Sequence, residues 1–280
     1  METKISYVKT NSLLTKSNLP ASDYVINPYV GCLHGCKYCY ACFMKRFTNH
    51  HEEWGKFIDV KKCSKPIDLI KLEGKSVFIS SVTDCYNPIE ETEKLTQKIL
   101  KQLINANCEI TITTKSSLVL RDIEIIKQLK NAMVAISINT LDENFKNDMD
   151  NASSIADRIN TLKVLHDNGI KTILFMSPIF PEITSFTQII EATKKFVDVY
   201  WFENLNLRGS YRATILNYIK KHYPNLITLY NDIYVKNDKS YWKELAIKID
   251  DYCFNNKIKF KNYFYHEQIR KNTKNKLTKS

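Results

Sequence analysis

Four cysteines are crowded into one short segment near the start of the chain, GCLHGCKYCYACF at residues 31–43. Cys32, Cys36 and Cys39 are spaced C-x3-C-x2-C, and Cys42 follows three residues later. Thiolates are the normal ligands of iron–sulfur clusters, so the first three could each bind one corner of a cubane. In a chain of 280 residues with eight cysteines, this crowding indicates metal binding or redox chemistry rather than a disulfide framework.

Two other kinds of site compete for these cysteines. A zinc site could use Cys36, Cys39, His50 and His51, although zinc fingers separate their two histidines by three to five residues and these are adjacent. A ferredoxin-like cluster would add Cys42, but C-x3-C-x2-C-x2-C differs from the C-x2-C-x2-C-x3-C-P run of bacterial ferredoxins. The spacing alone leaves a zinc-binding module and an electron carrier open as alternatives.

Alternating strand and helix patterns surround the cysteines and must position them. Apolar, β-rich runs predict six strands, at residues 24–30, 76–84, 108–116, 133–141, 170–181 and 197–209. Helical spacing predicts crossover helices at residues 90–105, 121–131, 153–169 and 184–196. Because this order leaves room for little but parallel crossovers, we expect an α/β fold, namely a partial (β/α)6 barrel of the TIM type.

Two extensions are expected to flank this barrel. The predicted boundaries are 1–23 for an N-terminal extension, 24–209 for the core barrel and 210–280 for a helical C-terminal extension with a basic tail. The formal net charge is +11, and residues 257–280 carry eight Lys or Arg against one Glu. Aromatic residues between these charges could stack on bases while the cations bind phosphates. A solvated tail that aids solubility would have the same composition.

Polar residues stand at the predicted carboxyl ends of the strands, where parallel α/β folds bind their ligands. They are Thr83, Asp84, Cys85 and Tyr86 after the second strand, Lys115 after the third, Ser137 and Asn139 in the fourth, and Glu203 in the sixth. Loops that merely join elements would not need such groups at every strand end. We therefore expect a ligand site along this edge.

The cysteine motif, with aromatic Tyr38 before its last cysteine and a strand before its first, resembles the signature of radical S-adenosylmethionine (SAM) enzymes. The wider string NPYVGCLHGCKYCYACF is similar to the spore photoproduct lyase-like branch. The stretches SSVTDCYNPIE, TKSSLVLRDI, SINTLDE, SPIFPEIT, ENLNLRG and YFYHEQIR resemble proteins labelled "radical SAM mobile pair protein B".

This resemblance implies a radical SAM enzyme and its two cofactors. Cys32, Cys36 and Cys39 would bind a 4Fe–4S cluster, and SAM would chelate the iron that they leave open. The cofactors would supply a 5′-deoxyadenosyl radical that abstracts hydrogen from the substrate. Cys42 would then be surplus to the cluster.

The resemblance also implies ligands for SAM at the strand ends. Thr83 and Asp84 fall where such enzymes contact the methionyl amine, and Lys115 suits the methionyl carboxylate. Ser137 and Asn139 fall where the ribose hydroxyls are bound. Tyr38 is expected near the adenine.

The position of the hydrogen donor is where this chain departs from the photoproduct lyases. Those enzymes carry a cysteine just before the polar pair of the second strand, and this chain has Val82 there. Candidates for substrate contact or hydrogen transfer are Cys85, Tyr86 and Glu203, with Glu90 and Arg208 as further polar candidates. We expect a nucleic acid or a nucleotide-derived group as substrate, with radical modification of a peptide or partner protein as the alternative.

Composition and resemblance together suggest where the protein works and with whom. Apolar residues make up 44% of the chain, and no run reaches the ~18 apolar residues of a membrane span. The segment METKISYVKTNSLLTKSNLP has no apolar signal core. We therefore expect a cytoplasmic protein with no membrane partner. The resemblance implies a reductant such as flavodoxin or ferredoxin, and the mobile-pair label implies a partner protein encoded alongside.

Overall fold

The computed structural model of the chain describes residues 3–20, 22–209 and 211–265. Its strands are β1 (Lys4–Lys9), β2 (Leu14–Lys16), β3 (Tyr24–Ile26), β4 (Tyr29–Val30), β5 (Phe57–Lys62), β6 (Ser76–Ile79), β7 (Glu109–Thr114), β8 (Asn131–Ser137), β9 (Lys171–Ile179), β10 (Val199–Asn204) and β11 (Phe260–Asn262). Its α-helices are α1 (Glu90–Glu93), α2 (Leu95–Leu103), α3 (Ile123–Ile126), α4 (Glu143–Met149), α5 (Ile155–Asp167), α6 (Phe186–Thr193), α7 (Tyr211–His222), α8 (Ile227–Tyr234) and α9 (Ser240–Asn255). 3₁₀ helices span Tyr40–Phe47, Ile70–Leu72, Ser117–Asp122 and Pro224–Leu226.

The main sheet has the strand order β11-β10-β9-β8-β7-β6-β3-β2. Its pairs are parallel except for β2 with β3, so the six predicted strands run side by side in the order of the sequence. This confirms the α/β fold with a partial barrel of the TIM type. Strand β2, from the predicted N-terminal extension, and β11, from the predicted C-terminal one, add a strand at either edge.

A second, three-stranded sheet has the order β1-β5-β4, and the sequence analysis did not predict it. β1 pairs in parallel with β5, and β4 pairs antiparallel on its other side. The sheet leads directly into the cysteines through Gly31, whose φ is +89°. A Cβ at Gly31 would lie 2.4 Å from the Phe57 carbonyl oxygen, so the residue must be glycine for β5 to pack this closely.

Buried apolar side chains on the helices hold them against the main sheet. Ile99, Leu100 and Leu103 of α2 and Leu162 and Leu165 of α5 are fully buried. Each such side chain contributes roughly 1.5–3 kcal/mol relative to an exposed one. These contacts stiffen the wall whose upper edge carries the predicted ligand residues.

Helix α5 lies within the predicted helix 153–169, and both of its ends have capping contacts. The Ser154 hydroxyl accepts the Asp157 N–H at 3.0 Å, which satisfies one of the free amides of the first turn. Gly169, with φ +74°, follows the last turn, and its N–H donates to the His166 carbonyl at 2.9 Å.

The predicted C-terminal helices are present as α7 and α9, and α8 lies between them. Of the basic tail, residues 266–280 lie outside the described residues. Among the helices that the structure describes, none is long and apolar enough to cross a membrane.

Candidate active site

The cysteine loop, defined here as residues 31–39, is held by the chain that follows α4. The Lys37 N–H donates to the Met149 carbonyl at 2.9 Å, and the Asn151 N–H donates to the His34 carbonyl at 2.8 Å. Within the loop, the Cys39 N–H donates to the Cys36 carbonyl at 3.1 Å. Protein contacts alone therefore define the path of the loop.

Cys32, Cys36 and Cys39 are free thiols that line one cleft at the upper edge of the main sheet. Burial raises the pKa of all three thiols, and for Cys36 to about 12. A buried thiolate is favoured when a bound cation supplies the compensating charge, as iron or zinc does. The donor set therefore fits a metal group held by these three sulfurs.

The arrangement of these residues suits a cluster better than a single ion. Within the described part of the chain, no three His, Cys, Asp or Glu side chains converge on one point as ligands of a single metal ion do. His50, needed for the zinc alternative, is already bound on both ring nitrogens, to Glu52 at 3.0 Å and to Asp59 at 2.8 Å. Because the three thiols line one cleft without converging on one point, each could bind a different iron of a cluster.

Barrel strands line this cleft with side chains that alternate along each strand. The register places Ser137, Phe175 and Trp201 side by side on β8, β9 and β10. Thr113 on β7 and Lys115 just after it also line the cleft. Its empty volume, including the part open to solvent, is about 1090 Å³.

Lys115 contributes a positive charge beside the cysteines. Its Nζ lies 5.9 Å from the centre of the Tyr38 ring and makes no hydrogen bond or ion pair with any residue that the structure describes. Its charge opposes the rise that burial imposes on the pKa of Cys36. A cation with no carboxylate partner suits the methionyl carboxylate, as the resemblance implies.

Asp84 connects the cysteine loop to two strand ends. Its oxygens accept the Tyr86 N–H at 2.9 Å, the Thr114 hydroxyl at 2.7 Å and the Lys115 N–H at 2.8 Å. Oδ2 also lies 3.2 Å from His34 Nε2. Burial opposes ionisation of Asp84, but His34 and these donors together lower its pKa to about 2. Asp84 is thus a tether between β6, β7 and the cysteine loop.

The other predicted SAM ligands lie in three different places. Thr83 and Ser137 line the cleft, and the Thr83 hydroxyl donates to the Gly31 carbonyl at 2.5 Å. Tyr38 lines a neighbouring recess, and its hydroxyl donates to Asp150 at 3.2 Å. Asn139 is buried outside the residues that line either cavity, and its amide donates to the Pro178 carbonyl at 3.1 Å.

Only one of the three predicted catalytic residues reaches the cleft. Glu203 lines both the cleft and the recess and accepts a hydrogen bond from the Ser177 hydroxyl. Cys85 and Tyr86 are fully buried and do not line the cleft. Asp84 accepts the Tyr86 N–H and so turns the chain, and the Tyr86 hydroxyl donates to Asp122 at 3.1 Å behind the sheet edge.

The two other polar candidates from the sequence lie in different places. Glu90 is fully buried and accepts hydrogen bonds from Tyr29 and from Arg121, the latter at 2.7 Å. Arg208 lines the recess together with Cys42. Glu90 therefore belongs to a structural network, whereas Arg208 and Cys42 remain within reach of a ligand in the recess.

The sequence analysis missed two sets of residues around the site. The first is an aromatic wall of the cleft, comprising Phe78, Phe175, Trp201 and Tyr263. The second is a buried ion pair under the cysteine loop, in which Arg158 Nη2 donates to Asp150 Oδ1 at 2.6 Å. Strand register and helix packing bring these residues together, and no local sequence pattern signals either set.

Comparisons with known proteins agree on family and fold. The sequence profile of the Radical SAM superfamily matches residues 26–192. An uncharacterised protein of Methanocaldococcus jannaschii is 41% identical over 230 residues, which cover 80% of this chain and 86% of that protein. An uncharacterised protein of Mycobacterium tuberculosis is 24% identical over 230 residues, which cover 75% and 67% of the two chains.

Two solved structures share the fold. Spore photoproduct lyase complexed with dinucleoside spore photoproduct superposes with a TM-score of 0.56 at 16% identity, covering 79% of this chain and 66% of that one. Streptococcus suis SuiB bound to S-adenosylmethionine superposes with a TM-score of 0.55 at 18% identity, covering 85% of this chain and 49% of that one. This chain thus spans about two thirds of the lyase and about half of SuiB.

Proposed function

Because the chain belongs to the radical SAM superfamily, we propose that Cys32, Cys36 and Cys39 hold its 4Fe–4S cluster and that the adjoining cleft binds SAM and substrate. Membership implies both cofactors, which when bound supply hydrogen abstraction by a radical. The observation that carries the proposal is the presence, in one cleft, of three free cysteines (Cys32 buried, Cys36 and Cys39 half-buried) together with the Lys115 ammonium. The cluster-ligand and SAM-ligand roles of individual residues are proposals.

Within the cleft, we assign SAM to the side formed by β6, β7 and β8. Lys115 would bind the methionyl carboxylate, and the hydroxyls of Thr83 and Ser137 would bind polar groups of the same molecule. Asp84, whose oxygens are engaged by neighbouring donors, would act mainly by positioning Lys115 and the cysteine loop.

The opposite side of the cleft supports a substrate with a planar, polar ring. Trp201 stands edge-on to Phe175 and to Tyr263, with ring centroids 5.6 Å and 5.4 Å apart. Aromatic side chains that line a cleft can stack on nucleobases whatever the identity of the base. Glu203 at the top of this wall could accept hydrogen bonds from ring N–H or amino groups.

These features, together with the net charge of +11, support a nucleic acid or nucleotide-derived substrate. The fold likeness to a lyase complexed with a dinucleoside photoproduct points the same way. Radical modification of a peptide remains the rival. Superfamily members commonly need a reductant. Four further expectations from the sequence stay predictions: the partner protein, the cytoplasmic location, the mobile-pair name and the boundaries of the two extensions.

The first experiment tests cofactor chemistry with a matched pair of variants. The protein is reconstituted with iron and sulfide without oxygen, reduced with dithionite and given SAM, and 5′-deoxyadenosine is assayed. Wild type and Cys42→Ala should form 5′-deoxyadenosine, whereas Cys36→Ala should not. The proposal would be refuted if wild type holds a reducible cluster and addition of SAM leaves the electron paramagnetic resonance (EPR) signal of that cluster unchanged. That result would favour an electron carrier.

The second experiment tests the substrate class. Binding of single-stranded oligonucleotides is measured across salt concentrations, because each phosphate contact releases counterions and steepens the salt dependence. Trp201→Ala should weaken binding by about 1–3 kcal/mol, the worth of one stacked base, and Phe254→Ala on the exposed face of α9 should not. Equal, salt-insensitive binding by all three proteins would shift the proposal to a peptide substrate.

A further inference from the structure

The segment of residues 53–56 lies directly against the cysteine loop. Gly55 has φ +95°, and a Cβ on it would lie 2.8 Å from the Gly35 Cα and 3.9 Å from the Cys32 carbonyl oxygen. Glycine at position 55 is therefore needed for the backbones to approach this closely. The contact brings Trp54 beside the cysteines. The Trp54 indole stands edge-on to Phe57, with centroids 5.7 Å apart, which fixes the plane of the ring.

The indole N–H of Trp54 is buried and makes no hydrogen bond of regular geometry with the described residues. Indole nitrogen is a donor only, and a buried donor without an acceptor costs free energy. The polar group with which it interacts electrostatically is the Cys39 thiol, whose negative form the Trp54 N–H stabilises. Burial raises the pKa of that thiol, and the Trp54 N–H is among the groups that oppose this rise. A thiol is a weak acceptor, whereas an iron-bound thiolate is a much stronger one.

We propose that Trp54 donates a hydrogen bond to the iron-bound sulfur of Cys39 and thereby raises the reduction potential of the cluster. Hydrogen bonds to the sulfurs are one of the means by which proteins set this potential. The N–H dipole stabilises negative charge on sulfur, and the reduced cluster carries one more negative charge than the oxidised one. Trp54 is thus a positioning residue that acts through Cys39, and the inference rests on the proposed role of Cys39 as a cluster ligand.

The variant Trp54→Phe removes the N–H and keeps an aromatic ring against Phe57. Its matched control is Trp242→Phe, at a tryptophan that is 2% exposed and packs against Tyr241 and Phe264 instead. Each reconstituted holoprotein is titrated against potential while the EPR signal of the reduced cluster is recorded. At a fixed potential, Trp54→Phe should show about a threefold lower ratio of reduced to oxidised cluster. This ratio corresponds to a midpoint about 28 mV lower for a one-electron couple, and Trp242→Phe should match wild type.

A second measurement detects the hydrogen bond itself. Wild type labelled with ¹⁵N in the indole rings of its three tryptophans should show a nitrogen coupling to the reduced cluster. That coupling should persist in Trp242→Phe and vanish in Trp54→Phe. An unchanged midpoint, or no indole coupling in wild type, overturns the inference while leaving the cluster assignment intact. If Cys36→Ala retains the cluster and its activity, the proposed function itself fails, so the two failures are distinguishable.

Discussion

Replacing Lys115 by methionine removes the positive charge of the cleft and keeps most of the side-chain volume. Its Nζ has no hydrogen-bond or ion-pair partner among residues 3–20, 22–209 and 211–265, so the substitution breaks neither kind of contact and removes only longer-range interactions such as that with the Tyr38 ring. A hydrogen bond to a charged group contributes about 1.5–3 kcal/mol. Because each 1.4 kcal/mol is a factor of ten, Lys115→Met should bind SAM roughly 10–150-fold more weakly.

The assay is equilibrium binding of SAM to reconstituted protein, with iron and sulfide measured in every sample. Iron content matters because Lys115 also opposes the rise in the pKa of Cys36. Lys194→Met, at a half-exposed lysine paired with Glu191 on the surface, controls for loss of charge. Lys115→Arg keeps the charge with altered geometry and should bind SAM with intermediate affinity. Equal SAM affinity of Lys115→Met and wild type, at equal cluster content, would refute the assignment of the carboxylate to Lys115.

Three further predictions concern the framework of the site. The pKa of Asp84 is lowered from 3.8 to about 2, so Asp84 stabilises the fold by about 2 kcal/mol above pH 4 and loses this as the pH falls through 2. Acid unfolding should therefore be shallower for Asp84→Asn than for wild type, and equal acid profiles would contradict the tether. Arg158→Met leaves Asp150 as a buried charge without its closest partner. The free energy of unfolding, measured in urea, should therefore fall by about 3–5 kcal/mol. A fall below about 1 kcal/mol would show that Asp150 finds another partner. Gly55→Ala should reduce cluster retention, because the added Cβ would push the segment of residues 53–56 away from the cysteine loop. Gly169→Ala, with a similar φ of +74° and nothing within 4 Å of the added Cβ, should lower stability alone. Equal cluster content in both variants would mean that the cysteine loop tolerates this displacement.

Local patterns predicted the elements of the barrel because each strand and crossover helix carries its own periodicity. The run SVFIS around β6 and the run ITITT in β7 are examples, and the Ser154 cap marks the start of α5 without reference to the rest of the fold. The small β1-β5-β4 sheet went undetected because its strands pair over long distances in the sequence. Residues 57–60 of β5 are all buried, so the strand lacks the alternation that marks a half-buried strand.

The lining of the cleft was predicted where residue type decides it and was missed where strand register or turn geometry decides it. The three cysteines, Thr83 and Lys115 stand at strand ends and line the cleft. Cys85 was expected to join them, but the turn that Asp84 closes places it in the core. The aromatic wall was missed for the opposite reason. In the sequence, Phe175 and Trp201 look like ordinary strand residues, and only the pairing of β9 with β10 places them side by side in the cleft.

The positions of the thiols constrain the reaction that this enzyme can complete. Among the described residues, the cysteines that line the cleft are Cys32, Cys36 and Cys39, all assigned to the cluster. Val82, which the sequence resemblance predicts to fall at the position of the hydrogen-donor cysteine of the photoproduct lyases, also lines the cleft. The remaining thiol near the site is Cys42, which shares the recess with Glu203 and Lys115. A substrate radical that must regain hydrogen from a thiol would therefore need Cys42. Product formation by Cys42→Ala at the wild-type rate would show that the reaction ends without a protein thiol as donor.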